Sequence, residues 1–191
     1  MEVNTKVNLS GLILDNPVIP ASGTFGFGKE YVDFYDINIL GSISIKGTTV
    51  QRRKGNHQPR IAECYSGLIN SVGLENPGME NVIQKELKDL EMIYRKPIIA
   101  NISGFSVEEY VTLAKEMDKV DNVGIIEVNI SCPNVDHGGL AFGTNADNVR
   151  ELTKKIKEVT TKPIYMKLSP NVTDIKEIAR AAQEGGADGI S

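Results

Sequence analysis

Cys132 stands in the stretch NISCPNVDHGGLAFGT, which runs from Asn129 to Thr144 directly after an apolar run. A thiol can serve as a base only when its thiolate is accessible. The neighbours suit that use. Pro133 and Asn134 fix a turn, and Gly138-Gly139 would let the loop open. A cysteine by itself is more often a small buried apolar residue, so chemistry here needs further groups. Lys46 and Lys167 provide them, each closing an apolar run. Buried lysine is costly unless it is paired or faces an anion, although a single one can snorkel outward. Ser22, Asn101, Asn129 and Ser191 end similar runs. Repetition of polar ends argues against coincidence.

Strands must position these groups. The runs are Val18–Ala21, Ile39–Ile45, Pro97–Ile102, Gly124–Ile130 and Pro163–Leu168, with Asp188–Ile190 beginning another. Helical periodicity fills the gaps. Pro77–Arg95 carries apolar residues at Met79, Val82, Ile83, Leu87 and Leu90, and Pro77 suits a first turn. Ser106-Val107-Glu108-Glu109 is a capping box opening a helix to about Val120. Asn145–Val159 and Thr173–Glu184 are two more amphipathic helices, the second stopped by Gly185-Gly186. Alternating strands and helices imply a parallel sheet, either open and doubly wound or closed as a barrel. Gly23-Thr24-Phe25-Gly26-Phe27-Gly28 lacks G-x-G-x-x-G spacing, and Gly28-Lys29 is not followed by Ser or Thr, so neither common nucleotide turn is present. In a barrel, the C-terminal strand ends converge on one face, where active sites form. Val3–Leu9 and Leu12–Leu14 flank Ser10-Gly11 as a hairpin that could floor a barrel. The long irregular stretch Gly47–Asn76 reads as an ordered loop, packed through Ile61, Leu68, Ile69, Val72 and Leu74.

The composition sets the remaining bounds. The 191 residues, 40% apolar, suffice for one domain. A formal charge of −4 argues against a nucleic-acid partner, and Arg52-Arg53-Lys54 reads as a solvated loop. No membrane span or secretory leader is expected. Cys64 and Cys132, with His57 and His137, have no metal-site or disulfide spacing, so a reducing cytoplasm and no metal are expected.

With these residues in hand, a family likeness can be named. Asn129-Ile130-Ser131-Cys132-Pro133-Asn134-Val135 resembles the catalytic loop of the class 1 dihydroorotate dehydrogenases. Ala21–Gly28, Lys46-Gly47-Thr48-Thr49, Asn70-Ser71-Val72-Gly73-Leu74 and Lys167-Leu168-Ser169-Pro170-Asn171 are also similar, in matching order. His137–Thr144 resembles the class 1B form. The resemblance implies an α/β fold: an FMN-containing (β/α)8 TIM barrel with an N-terminal β-hairpin. It also implies that residues 1–191 are a single barrel domain, incomplete at about the sixth strand. Cys64 departs from the family pattern and is read as structurally neutral.

The implied reaction is oxidation of (S)-dihydroorotate to orotate in pyrimidine biosynthesis. Cys132 would take the C5 proton and a hydride would pass to FMN. Ser22, Lys46, Gly47, Asn101, Asn129 and Lys167 are the implied cofactor contacts. Lys46, Asn70, Ser71, Val72, Gly73, Leu74, Asn129 and Asn134 are the implied substrate contacts. Electrons would go to NAD through a partner subunit carrying FAD and a 2Fe–2S cluster, in a heterotetramer built on a homodimer. Three other readings stay open: a dihydropyrimidine dehydrogenase-like flavin barrel, a Schiff-base lyase barrel using Lys167, and a non-catalytic remnant.

Overall fold

The computed structural model describes residues 3–131 and 142–191. Its centre is a four-stranded parallel sheet in chain order: β5 (Ile98–Ile102), β6 (Val123–Asn129), β7 (Ile164–Lys167) and β8 (Gly189–Ile190). The segment around Ile43–Thr48 lies along the free edge of β5. Ile45 N–H donates to Ile99 O at 3.0 Å, and Thr48 N–H to Asn101 O at 2.9 Å. Its bridges join Ser44 to Ile99 and Thr48 to Ile102. One extra residue therefore lies on this side, and of the expected strand Ile39–Ile45 only the end near Ile43–Ile45 pairs with β5. Val18–Ala21 forms no strand either; Val18 instead accepts Gly41 N–H at 2.9 Å.

The period of two sorts the side chains. Ile98, Ala100, Ile102, Ile126, Val128, Ile164 and Met166 are buried in the apolar core. They pack with residues from α4 (Val107–Asp118), α5 (Ala146–Lys157) and α6 (Ile175–Glu184). Tyr110, Leu113 and Met117 come from α4, Val149 and Ile156 from α5, and Ile178 and Ala182 from α6. The other face of the sheet carries Ile99 and Asn101, Glu127 and Asn129, Tyr165 and Lys167, and it is the polar one.

Local signals set the helix starts. Ser106 Oγ accepts Glu109 N–H at 3.3 Å, while Glu109 Oε2 accepts Phe105 N–H at 2.8 Å, so the capping box closes one residue early. Asn145 and Asp174 cap α5 and α6. The helix expected from Pro77 begins two residues later. It is built from α2 (Met79–Asn81), a π turn (Val82–Glu86) and α3 (Leu87–Ile93). A short helix α1 covers Ser22–Phe25.

The N-terminal hairpin is present, with β1 (Val7–Leu9) shorter than expected and β2 (Leu12–Leu14) as read. Ser10 and Gly11 have φ of 50° and 94°, the pair of positive angles that a tight hairpin turn requires. The hairpin packs under the sheet. Leu12 Cδ2 would lie 2.9 Å from a Cβ on Gly124, and Ser10 Oγ lies 3.0 Å from Tyr165 Oη.

The stretch Gly47–Asn76 corrects an expectation. It contains a second hairpin, β3 (Ile61–Cys64) with β4 (Gly67–Asn70), turning at Ser66 with φ 63°. Ile61, Leu68 and Ile69 are 59%, 66% and 64% exposed, so they do not pack as expected. Alternation on a two-stranded ribbon has no core to face unless another layer covers it. Cys64 is free and exposed near its tip.

Candidate cofactor and substrate site

The polar sheet face ends in the residues singled out from the sequence. Asn129 pairs with Lys167 across β6 and β7, which puts these two ends level. Asn101 pairs with Glu127 and so sits one inward-facing layer below Asn129. The polar strand ends are therefore staggered, as strand tilt in a curved parallel sheet demands. Lys167, Ser22, Ser44, Glu127 and Tyr165 line one cavity on this face. No ion pair engages the Lys167 ammonium among the described residues. Lys46 is half-buried, and its N–H donates to Gly26 O at 2.8 Å, tying it to the turn after α1.

Gly47 shows how tightly the layers meet. A Cβ there would lie 2.9 Å from Asn101 Oδ1 and 3.3 Å from Leu74 Cδ2. Asn101 is fully buried, and among the described residues its Oδ1 has no hydrogen-bond partner; neither has Ser103 Oγ, 2% exposed. Buried polar atoms rarely stay unpaired, so these two call for partners that the described residues do not supply. A small backbone approach with two unpaired buried oxygens fits a flat ring edged with N–H groups.

The substrate loop is reached from the exposed hairpin. Asn70 and Ser71 are exposed, whereas Gly73 is buried and Leu74 half-buried. Gly73 and Leu74 both have positive φ, 77° and 56°. For a leucine that is strained, and strain of this kind gathers at ligand sites. The structure brings Leu74 against Gly47 and leaves Asn70 on the outer ribbon. Arg53 helps hold the loop: its Nε donates to Gly73 O at 3.4 Å, and its guanidinium lies 4.7 Å from the Phe105 ring centroid. The basic cluster is thus more than the solvated loop expected of it.

Cys132 and Asn134 lie outside the described residues. Their flanks are placed. Tyr110, fully buried, donates its hydroxyl to Asn129 O at 2.8 Å, and its ring meets Phe142 edge to face at 5.7 Å. A Cβ on Gly143 would lie 2.3 Å from Ile130 O, so the chain leaves and returns at one point.

Sequence reasoning missed Tyr110, Arg53, Ser103 and Glu127. Glu127 had a legible signal: it is the one charged residue within the apolar run Gly124–Ile130. Ser103 had none, because serine after a strand is ordinary.

The family model described as dihydroorotate dehydrogenase matches residues 4–191. The chain belongs to the dihydroorotate dehydrogenase family. It is 56% identical over 186 residues to the catalytic subunit of dihydroorotate dehydrogenase B (NAD(+)) from Bacillus cytotoxicus, covering 97% of this chain and 60% of the relative. The subunit of the same name from Bacillus cereus is 55% identical over the same shares. The chain thus spans 60% of the length of these curated relatives. Among solved structures, a dihydroorotate dehydrogenase from Eimeria tenella in complex with ferulenol matches with a TM-score of 0.77 at 21% identity, over 98% of this chain and 58% of that one. That likeness is one of fold, and with it the β/α-barrel expectation holds in preference to the open doubly wound sheet. Among the described residues no helix is long and apolar enough to cross a membrane.

Proposed function

We propose that this chain is a flavin-binding barrel domain of an enzyme that oxidises (S)-dihydroorotate to orotate in pyrimidine biosynthesis. The supporting observation is the 56% identity, across 97% of the chain, to a relative whose name states that activity. The cofactor is FMN, held by Ser22, Lys46, Gly47, Asn101, Asn129 and Lys167. The unpaired Asn101 Oδ1 and Ser103 Oγ beside Gly47 support this choice, since an isoalloxazine edge carries an N–H and needs such acceptors. When bound, FMN supplies the acceptor for the hydride leaving C6.

The chain's own residues do the rest. Cys132, as thiolate, takes the proton from C5. Lys46 offsets the substrate carboxylate and the negative charge that develops as the proton leaves. Lys167 supplies a second cation to the same face. Asn70–Leu74, Asn129 and Asn134 fix the pyrimidine and its carboxylate by hydrogen bonds. The relatives' name, a catalytic subunit linked to NAD, supports a partner subunit. In this reading that partner carries FAD and a 2Fe–2S cluster, the assembly is a heterotetramer around a homodimer, and it works in the cytoplasm.

The test uses the native protein that carries this chain. Heating should release a yellow compound that migrates as FMN. In stopped-flow experiments Cys132→Ala should slow flavin reduction by dihydroorotate about 10²–10⁴-fold while the flavin spectrum persists. A colourless protein that takes up no added FMN would end the proposal. So would borohydride trapping of a carbonyl substrate on Lys167, which is the lyase outcome.

A further inference from the structure

Glu127 is an acid on the inward face of a buried sheet, and nothing in the proposed reaction uses it. Its carboxylate is nonetheless fully engaged. Oε2 accepts from Asn101 Nδ2 at 2.6 Å and from Ser44 Oγ at 3.1 Å, and Oε1 accepts from Ser191 Oγ at 2.8 Å. A carboxylate offers only acceptors. It therefore decides which end of the Asn101 amide faces it: the nitrogen must turn inward. The oxygen is then left pointing at Gly47, buried and without a partner.

We infer that Glu127 is a positioning residue, which locks the Asn101 side-chain amide so that an acceptor oxygen, beside the Ser103 hydroxyl, is presented to a ring N–H of the bound flavin. Ser103 belongs to the same device. Its Oγ is buried and unpaired, and it lies 3.8 Å from the position of a Gly47 Cβ. Both oxygens lie against the bare backbone of Gly47. Glu127 borders the same cavity as Lys167 and Ser22, but its oxygens are taken by Asn101, Ser44 and Ser191, so its assigned action runs through Asn101. The inference rests on the flavin reading for its ligand, while the lock itself exists without one.

The experiment is a double-mutant cycle on the native enzyme freed of flavin, with FMN titrated in and followed by fluorescence quenching. Glu127→Leu removes the acceptor and should weaken FMN binding on the order of tenfold to a hundredfold. Asn101→Ala should weaken it by a similar factor. The double variant should bind no more weakly than Asn101→Ala alone, because Glu127 acts only through that side chain. Glu127→Gln can still present an oxygen to Asn101 Nδ2 and should restore affinity to within about threefold of the parent. NMR supplies a readout that needs no flavin. The Asn101 side-chain amide protons should exchange slowly with solvent in the parent and in Glu127→Gln, and rapidly in Glu127→Leu. Additive losses in the cycle, or slow exchange in Glu127→Leu, would overturn the inference with the flavin reading intact. A parent that binds no FMN overturns the flavin reading and the ligand assigned here, while the exchange rates still report whether Glu127 locks Asn101.

Discussion

The two ends of the sheet treat polar groups in opposite ways. At the N-terminal ends nearly all are paired. Lys162 Nζ donates to Val120 O at 2.7 Å and to Val123 O at 2.6 Å. Asp118 Oδ1 accepts from Thr160 Oγ1 at 2.6 Å, Thr161 N–H at 2.8 Å and Lys162 N–H at 3.2 Å. Lys96 Nζ joins Leu40 O at 2.7 Å and Asp15 at 2.6 Å, and the Tyr94 hydroxyl, whose pKa burial raises, donates to Leu40 O at 3.2 Å. Among the described residues the buried exception there is Asn122 Oδ1. At the C-terminal ends, groups are held by one contact and left open at another. Asn101 is tied through nitrogen and open at oxygen, Ser103 Oγ is unpaired, and Lys167 has a charge without a described partner. An end that only holds the fold together gains by closing every bond. An end that must receive a ligand has to leave some bonds for it, at a cost in stability.

The contrast predicts which substitutions trade stability for binding. The largest stability loss should come from Asp118→Ala, which strips several donors of one carboxylate. Allowing for its part exposure, a loss of about 2–3 kcal/mol is expected by denaturant titration, with FMN affinity of the folded protein unchanged. Weaker FMN binding in that variant would blur the distinction between the ends. Lys162→Met comes next. It leaves two strand-end carbonyls without their donor and should cost about 1–2 kcal/mol, again without touching affinity.

Lys167→Met should reverse the pattern. Removing a half-buried charge with no described ion pair is expected to leave stability unchanged or raise it by up to about 1 kcal/mol, while FMN binding falls. A clear destabilisation would mean that Lys167 is a structural lysine like Lys162. The smallest effect should come from Asp89 on the outer helix, which belongs to neither end. Its carboxyl is held at about 2, chiefly by the Lys29 ammonium and then by Lys85. A depressed folded-state pKa gives stability present above the ordinary value of 3.8 and lost as pH falls through about 2. Any difference in melting temperature between the parent and Asp89→Asn should therefore vanish between pH 4 and pH 2, and added salt should shrink it.

Much of this architecture was legible in the amino-acid order. β5, β6 and β7 are apolar runs bounded by turn residues. Ser106, Asn145 and Asp174 announce their helices through caps that bond only to neighbours in the chain. Such signals are local, and their chemistry is complete within a few residues. The polar strand ends were legible too, because lysine and asparagine are out of place in a buried run. The motif around Asn129 pointed to the family that the comparisons then bore out.

Other features needed the folded molecule. The hairpin at Ile61–Asn70 carries the same Ser-Gly turn signal as the first hairpin, at Ser66-Gly67, but its apolar residues suggest packing that no covering layer among the described residues provides. The expected strand Ile39–Ile45 is reduced to a bridge at Ser44, with a bulge following it before Thr48. The stagger that sets Asn101 level with Glu127 rather than Asn129 follows from how neighbouring strands slide past one another, and no single strand records that slide. The orientation of the Asn101 amide depends on a carboxylate 26 positions along the chain, and the posture of Gly73 on an arginine 20 positions before it. The sequence by itself determined the elements, their order and the chemical groups at their ends, because those depend on neighbours along the chain. The tertiary structure decided which of those groups are satisfied and which are left open, because that depends on partners the chain brings together only by folding.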